Sequence, residues 1–270
     1  RGFEVHVLPR RGSAKGGPRV DVGRDAPGLP RRSFGERCHT ARTEAQAFRA
    51  EATRYRCDDP VMQQTLDRSS ADLHSLRLPD GALAAGIPWF AAPFGRDSLL
   101  ASYEALPFHP TLAADALRFL ALHQGQKDDA FTEEEPGKIL HELRFGEVTR
   151  TGEMPHTPYY GSVDATPLFV VLADAYYRVT ADRTTITRLL PALRAALHWI
   201  DVQSDEGRRF VTYQKRTSRG LENQGWKDSW DSVVDVDGTL GEAPIALCEV
   251  QGYCIDAYSR ASRLFAALGD

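Results

Sequence analysis

The run Leu168 to Val179 is apolar nearly all round a helix, and no other stretch restricts the possible folds so tightly. A helix with one apolar stripe can lie on a surface, whereas one that is apolar on every side must be enclosed by other elements. Asp164 stands where an N-cap belongs and Pro167 falls in the first turn, so the inner helix is expected to begin there. The next segment differs in kind. Over residues 186 to 200, Ile186, Leu189, Leu190, Leu193, Leu197 and Ile200 share one face, with Arg188 and Arg194 opposite, which predicts an outer helix laid over the inner one.

The same grammar extends along most of the chain. Asp58, Asp59 and Pro60 supply a cap and a first-turn proline for a helix to about Leu78, with Leu66, Leu73 and Leu76 along its apolar side. Asp97 or Ser98 is expected to start a helix to about Leu106, and Pro110 one to about Gln124. Residues 135 to 144 are expected as a short helix after an acidic turn, and Pro244 to open a last helix to about Leu268, closed by Gly269. Inner and outer helices thus alternate. No strand pattern of the crossover type appears, which argues against a doubly wound sheet or a TIM barrel and for an all-α class. Residues 1 to 57 stand apart as a linker or the remnant of a β-rich domain, with strand-like alternation at Phe3 to Val7, and residues 58 to 270 form the helical domain.

Composition removes several function classes. With 42% hydrophobic residues in 270, one large core is expected. A net charge of −4 gives no reason to expect a nucleic-acid or anionic-membrane partner, and the arginine-rich start reads as a solvated linker before it reads as a nucleic-acid arm. No window has the roughly 18 consecutive apolar residues of a membrane span, and the first residues lack the apolar core of a signal peptide. The protein is therefore expected in the cytoplasm, with Cys38, Cys57, Cys248 and Cys254 as reduced thiols. The chain opens on Arg1 and its methionines, Met62 and Met154, are internal, so it is expected to be a piece of a longer protein.

The chemistry is concentrated between helices. Loops at 84 to 98, 135 to 164 and 222 to 232 share carboxylates, Arg or Lys, aromatic rings and glycine. Sugar pockets use that combination, because vicinal hydroxyls are gripped by charge-assisted hydrogen bonds and pyranose faces stack on rings. In residues 223 to 232, Lys227, Asp228 and Asp231 are interleaved with Trp226 and Trp230. The plainer reading is an exposed loop anchored by its tryptophans. Arg96 and Asp97 could clamp hydroxyls, or Asp97 could be only an N-cap and Arg96 a surface ion pair. Glu133, Glu134 and Glu135 read as a solvated acidic turn, with Glu135 the one to point inward. His141 and His156 lack companions at a metal-ligand spacing, and no phosphate loop or nucleophile elbow is present. Neither metal nor cofactor is expected. If a glycosidic bond is cleaved, a protonated acid and a second carboxylate are required. Asp228 beside Trp226 is the first choice for the acid and Asp231 the rival.

Five ordered blocks carry a resemblance. These are Ala85 to Ser98 (AGIPWFAAPFGRDS), Glu135 to Glu142 (EPGKILHE), Pro158 to Phe169 (PYYGSVDATPLF), Asn223 to Ser229 (NQGWKDS) and Pro244 to Tyr253 (PIALCEVQGY). Together they resemble the bacterial amylo-α-1,6-glucosidase, or glycogen-debranching, family over residues 58 to 270. The resemblance implies an (α/α)6 toroid, the six-hairpin glycosidase fold, with inversion at the anomeric carbon and an α-glucan or oligosaccharide substrate. It implies that Arg96 and Asp97 grip the terminal glucose, that Asp228 is the general acid, and that Trp89, Phe90, Tyr159, Tyr160, Asp164, Asn223, Gln224, Trp226 and Lys227 line the pocket. Trp230 before Asp231 departs from the expected small or polar residue.

The sequence supplies about half the helices of such a ring. The general base is then expected beyond residue 270, and half a toroid would leave helices such as 168 to 179 with an apolar face uncovered, open to self-association. The competing readings are a trehalase-like or other α-glucosidase on the same fold, and a non-catalytic α-glucan-binding fragment. A terpene-cyclase-like toroid is disfavoured by the lack of an acidic metal-binding run.

Overall fold

The computed structural model describes residues 33–146, 149, 151, 152, 154, 155, 157–205 and 210–270. The chain divides into two compact units, Arg1–Ala50 and Glu51–Asp270. In the first, helix α1 (Phe34–Glu51) corrects the expectation of a linker or β-rich remnant over these residues. Ser33 and Glu36 start it as a reciprocal cap: the Glu36 N–H donates to Ser33 Oγ at 3.3 Å and the Ser33 N–H to Glu36 Oε2 at 2.6 Å. Phe48 is its one buried residue, so there was no apolar stripe to read. The strand expected at Phe3 to Val7 lies outside the described residues.

The second unit is all helical among the described residues, with isolated bridges but no sheet. Its helices are α2 (Pro60–Leu76), α3 (Gly95–Ala105), α4 (Pro110–Leu122), α5 (Ala165–Thr180), α6 (Arg183–Asp205) and α7 (Cys248–Leu268). Asp59 caps α2, its carboxylate accepting from the N–H groups of Val61 and Met62. The apolar run becomes α5, which is buried from Ala165 to Tyr176. Helices α3, α4, α6 and α7 all pack on it, and Arg260 of α7 reaches over the Tyr103 ring of α3, 6.0 Å from its centroid. The stripe of α6 is buried through Ile186, Leu189, Leu193 and Ile200, with Arg188 and Arg194 exposed; each fully buried Leu or Ile contributes about 2 kcal/mol. A matching stripe on α7, Val250, Cys254, Ala257, Ala261, Leu264 and Leu268, faces α5 and α6. Asp174 of α5, 2% exposed, is paired with Arg260 of α7 at 3.3 Å.

Three expectations change. Residues 135 to 144 are not helical: Gly137 has φ +87°, and the backbone beyond it bonds to distant segments, with Glu142 bridged to Phe94 and Tyr159. Pro244 does not open α7, because Ile245 exchanges both backbone hydrogen bonds with Tyr213 at 3.0 Å and the helix starts at Cys248. The uncovered face expected on 168 to 179 is covered as far as Tyr176; Val179 is exposed, and large exposed apolar side chains lie elsewhere, such as Ile255 on α7. No helix among the described residues is long and apolar enough to cross a membrane. Cys38, Cys57, Cys248 and Cys254 are free thiols.

Candidate functional site

The site is built where α3 and α5 begin. Helix α3 starts at Gly95 and not at Asp97 or Ser98, and the glycine is required by a close approach: a Cβ there would stand 2.1 Å from the Leu140 carbonyl oxygen. The Gly95 N–H donates to His141 O at 2.8 Å, the His141 N–H to Tyr159 O at 2.7 Å, and the Leu143 N–H to Pro93 O at 3.1 Å. Three sequence-distant segments are thereby laced together, and Arg96, in the first turn of α3, is brought beside Asp164, the residue preceding α5.

Arg96 is 8% exposed, so it is not a surface ion pair. Its Nη1 donates to Asp164 Oδ2 at 2.9 Å and its Nη2 to Asp228 Oδ2 at 3.2 Å. The two partners differ: the Asp164 side chain is 2% exposed and that of Asp228 is 44% exposed. Asp164 makes no helix cap. Its other oxygen accepts from Ser162 Oγ at 2.7 Å, and Ser162 Oγ takes the Ala165 N–H instead. Burial works against the Arg96 charge, but Asp164, with Asp97 and Asp228, more than offsets it and raises the guanidinium above its usual value. Burial pushes the neighbouring Asp97 carboxyl up, Arg96 opposing only in part.

These groups face a cavity of about 560 Å³ whose lining includes Phe90, Arg96, Asp97, Glu104, Trp226 and Asp228, with Leu73 and Leu76 of α2 on its wall. The volume is within the range of small-molecule sites. Phe90 and Trp226 present exposed rings. The loop bearing Phe90 is held by Arg144, whose guanidinium lies 5.7 Å from the Phe90 ring, bonds the Trp89 carbonyl at 3.1 Å and pairs with Glu142 at 2.6 Å. Lys227 Nζ lies 5.3 Å from the Trp226 ring centroid. Five of the residues singled out from sequence, Phe90, Arg96, Asp97, Trp226 and Asp228, therefore meet in one cavity.

The others do not line it. Trp89, Lys227, Trp230 and Asp231 are exposed outside the lining. Tyr159, Tyr160, Asp164, Asn223 and Gln224 are buried and are not part of the lining, a correction to their expected place on its surface. Their polar groups serve the protein: Tyr160 OH donates to His123 O at 2.8 Å, and Asn223 Nδ2 donates to Ser229 O at 2.7 Å and Ser232 Oγ at 3.2 Å, closing the tryptophan loop on itself. The acidic turn is also corrected. Glu133 and Glu134 are buried, and Glu135, half-buried, accepts from Trp199 Nε1 at 2.6 Å and Gln203 Nε2 at 2.7 Å. Glu104 and Arg144 were missed; neither stands in a motif, and only the fold brings them to the site. His141 is buried edge-on between Phe94 and Tyr159, and His156 lies outside the described residues. Among the described residues, no three His, Cys, Asp or Glu side chains group to hold a metal ion.

No family model matches the chain, and no curated protein matches it in sequence.

Proposed function

We propose that this chain carries the substrate-clamping, acid-bearing part of an inverting glycoside hydrolase of the amylo-α-1,6-glucosidase type, acting on α-glucosidic branch stubs. The observation that carries the reading is Arg96 held between Asp164 and Asp228 on the wall of a cavity that also presents Phe90, Trp226 and Asp97. A guanidinium with carboxylates on either side offers donors and acceptors to adjacent hydroxyls, and the rings offer apolar faces to the sugar. The helix order supports an arc of an (α/α)6 toroid, α3, α5 and α7 forming the inner row and α4 and α6 the outer.

In this reading a glucose hydroxyl entering the cavity displaces the longer of the two Arg96 contacts, that with the more exposed Asp228. Asp164 stays bound, so the clamp keeps its orientation. Released from Arg96, Asp228 takes up a proton from solvent and passes it to the departing glycosidic oxygen, while a second carboxylate, roughly 6.5 to 9.5 Å from the first, takes a proton from the water attacking on the opposite face.

The test is glucose release from a branched limit dextrin, with the anomer of the fresh product read by NMR and binding read by calorimetry. β-Glucose establishes an inverting hydrolase with both carboxylates within these residues. Saturable binding without turnover, lost in Arg96→Ala, supports the clamp and the glucan-binding alternative. Absence of binding sinks the reading.

A further inference from the structure

Glu133 is 1% exposed and lies outside the cavity lining. Its backbone has φ +56°, a left-handed conformation that costs a non-glycine residue about 1–2 kcal/mol and persists only where the surroundings enforce it. What enforces it is the segment that leads into the tryptophan loop. The carboxylate accepts from Gln224 Nε2, from the Arg216 N–H at 3.3 Å and from the Tyr159 hydroxyl, which itself accepts from the Leu221 N–H at 2.8 Å. The backbone closes on it so tightly that a Cβ at Gly220 would stand 2.0 Å from Glu133 Oε1. Lys138 Nζ bonds the Glu133 carbonyl at 3.3 Å, fixing the turn from behind.

Gln224 is the hinge of this arrangement. Its side chain goes to Glu133, while its carbonyl accepts from the Val163 N–H at 2.9 Å, one residue before Asp164. Trp226 follows two residues later and Asp228 four. We propose that Glu133 is a positioning residue for the site: its buried carboxylate, acting through Gln224, sets where Trp226 and Asp228 stand against Arg96. The inference rests on the sugar-site reading for its functional consequence but not for its structural content. A merely structural Glu133 would, on substitution, loosen the helices and the loop alike.

The test compares Glu133→Gln, Gln224→Glu and the double swap by backbone hydrogen exchange and by calorimetric titration with panose. Expected for Glu133→Gln are faster exchange over residues 213–228, unchanged exchange in α4, α5 and α6, and panose affinity weakened about tenfold or more. The swap, which keeps one carboxylate and one carboxamide facing each other, restores both readouts. Wild-type protection of 213–228 in Glu133→Gln, or equal acceleration in the helices, overturns the proposal. Should Glu133→Gln not fold, Gln224→Glu alone is expected to give the same local loosening, and its absence overturns the proposal equally. If Glu133→Gln shows this exchange pattern but the wild-type chain binds no panose, the sugar reading is overturned and the positioning role stands.

Discussion

Arg96 Nη2 lies 3.2 Å from Asp228 Oδ2, a contact between residues 132 apart in sequence. It ties the first turn of α3 to the tryptophan loop, while Nη1 is spent on the buried Asp164. Arg96→Met should leave Asp164 without its cation and destabilise the chain by about 3–5 kcal/mol. Arg96→Lys should cost less, because one ammonium can keep the shorter contact. Urea unfolding measures both; a cost below about 1 kcal/mol for Arg96→Met would show that Asp164 is solvated or otherwise neutralised.

Asp228 has the opposite profile, half-exposed and bound by one longer contact. Asp228→Asn should change unfolding free energy by no more than about 1 kcal/mol. Panose affinity should stay within about tenfold, and in a form of the protein that turns over, glucose release should drop about hundredfold or more. Near-normal release from this variant would transfer the acid role to another carboxyl.

Gly95 has no room for a side chain against the Leu140 carbonyl. Gly95→Ala should push α3 away from the 140–143 segment, costing about 3 kcal/mol and misplacing Arg96. Circular dichroism melting and panose titration should both register it. Gly152, where nothing lies within 4 Å of an added Cβ, serves as the control, its positive φ being the source of any small loss there.

Helical periodicity made α5 and α6 legible, because burial all round or on one stripe is written locally. Helix α1 was hidden for the converse reason, since one buried phenylalanine makes no stripe. The 135 to 144 segment carries Ile139, Leu140 and Leu143, spaced as on a helix face, yet its backbone is satisfied by Gly95, Gly125 and Tyr159, none of them local. Site residues follow the same division. The pairing of Arg96 with a carboxylate was suggested by its neighbour Asp97, but its actual partners are 68 and 132 residues away. Glu133 reads as part of a solvated acidic turn, with Glu135 the one to point inward, because its partner Gln224 is 91 residues distant.

The buried pair Asp174–Arg260 joins α5 to α7, the two side chains being 3% and 16% exposed, and Arg260 also pairs with the more exposed Asp256 at 2.7 Å. Breaking it singly should be worse than removing it. Arg260→Met should cost about 3 kcal/mol by leaving Asp174 uncompensated, Arg263 at 3.9 Å being too far to replace the contact fully. Asp174→Leu with Arg260→Met should recover most of that loss. Denaturant midpoints decide, and a double variant no better than the single would mean that the pair itself stabilises the fold.

Asp97 gives the site a pH signature of definite sign. Burial raises its carboxyl above the usual 3.8, with Arg96 only partly opposing. The folded chain therefore holds this proton more tightly than the unfolded chain does. Below about 3.8 both states are protonated and Asp97 costs nothing; as pH rises from there through the raised folded value, its contribution turns unfavourable and then stays so. Asp97→Asn removes the titration, so its melting temperature should exceed that of the wild type at pH 7, and the gap should close as pH falls toward 3.8. Paired thermal melts across that range check it. A gap that widens on acidification would mean that the Arg96 attraction outweighs burial and that Asp97 is held as a carboxylate.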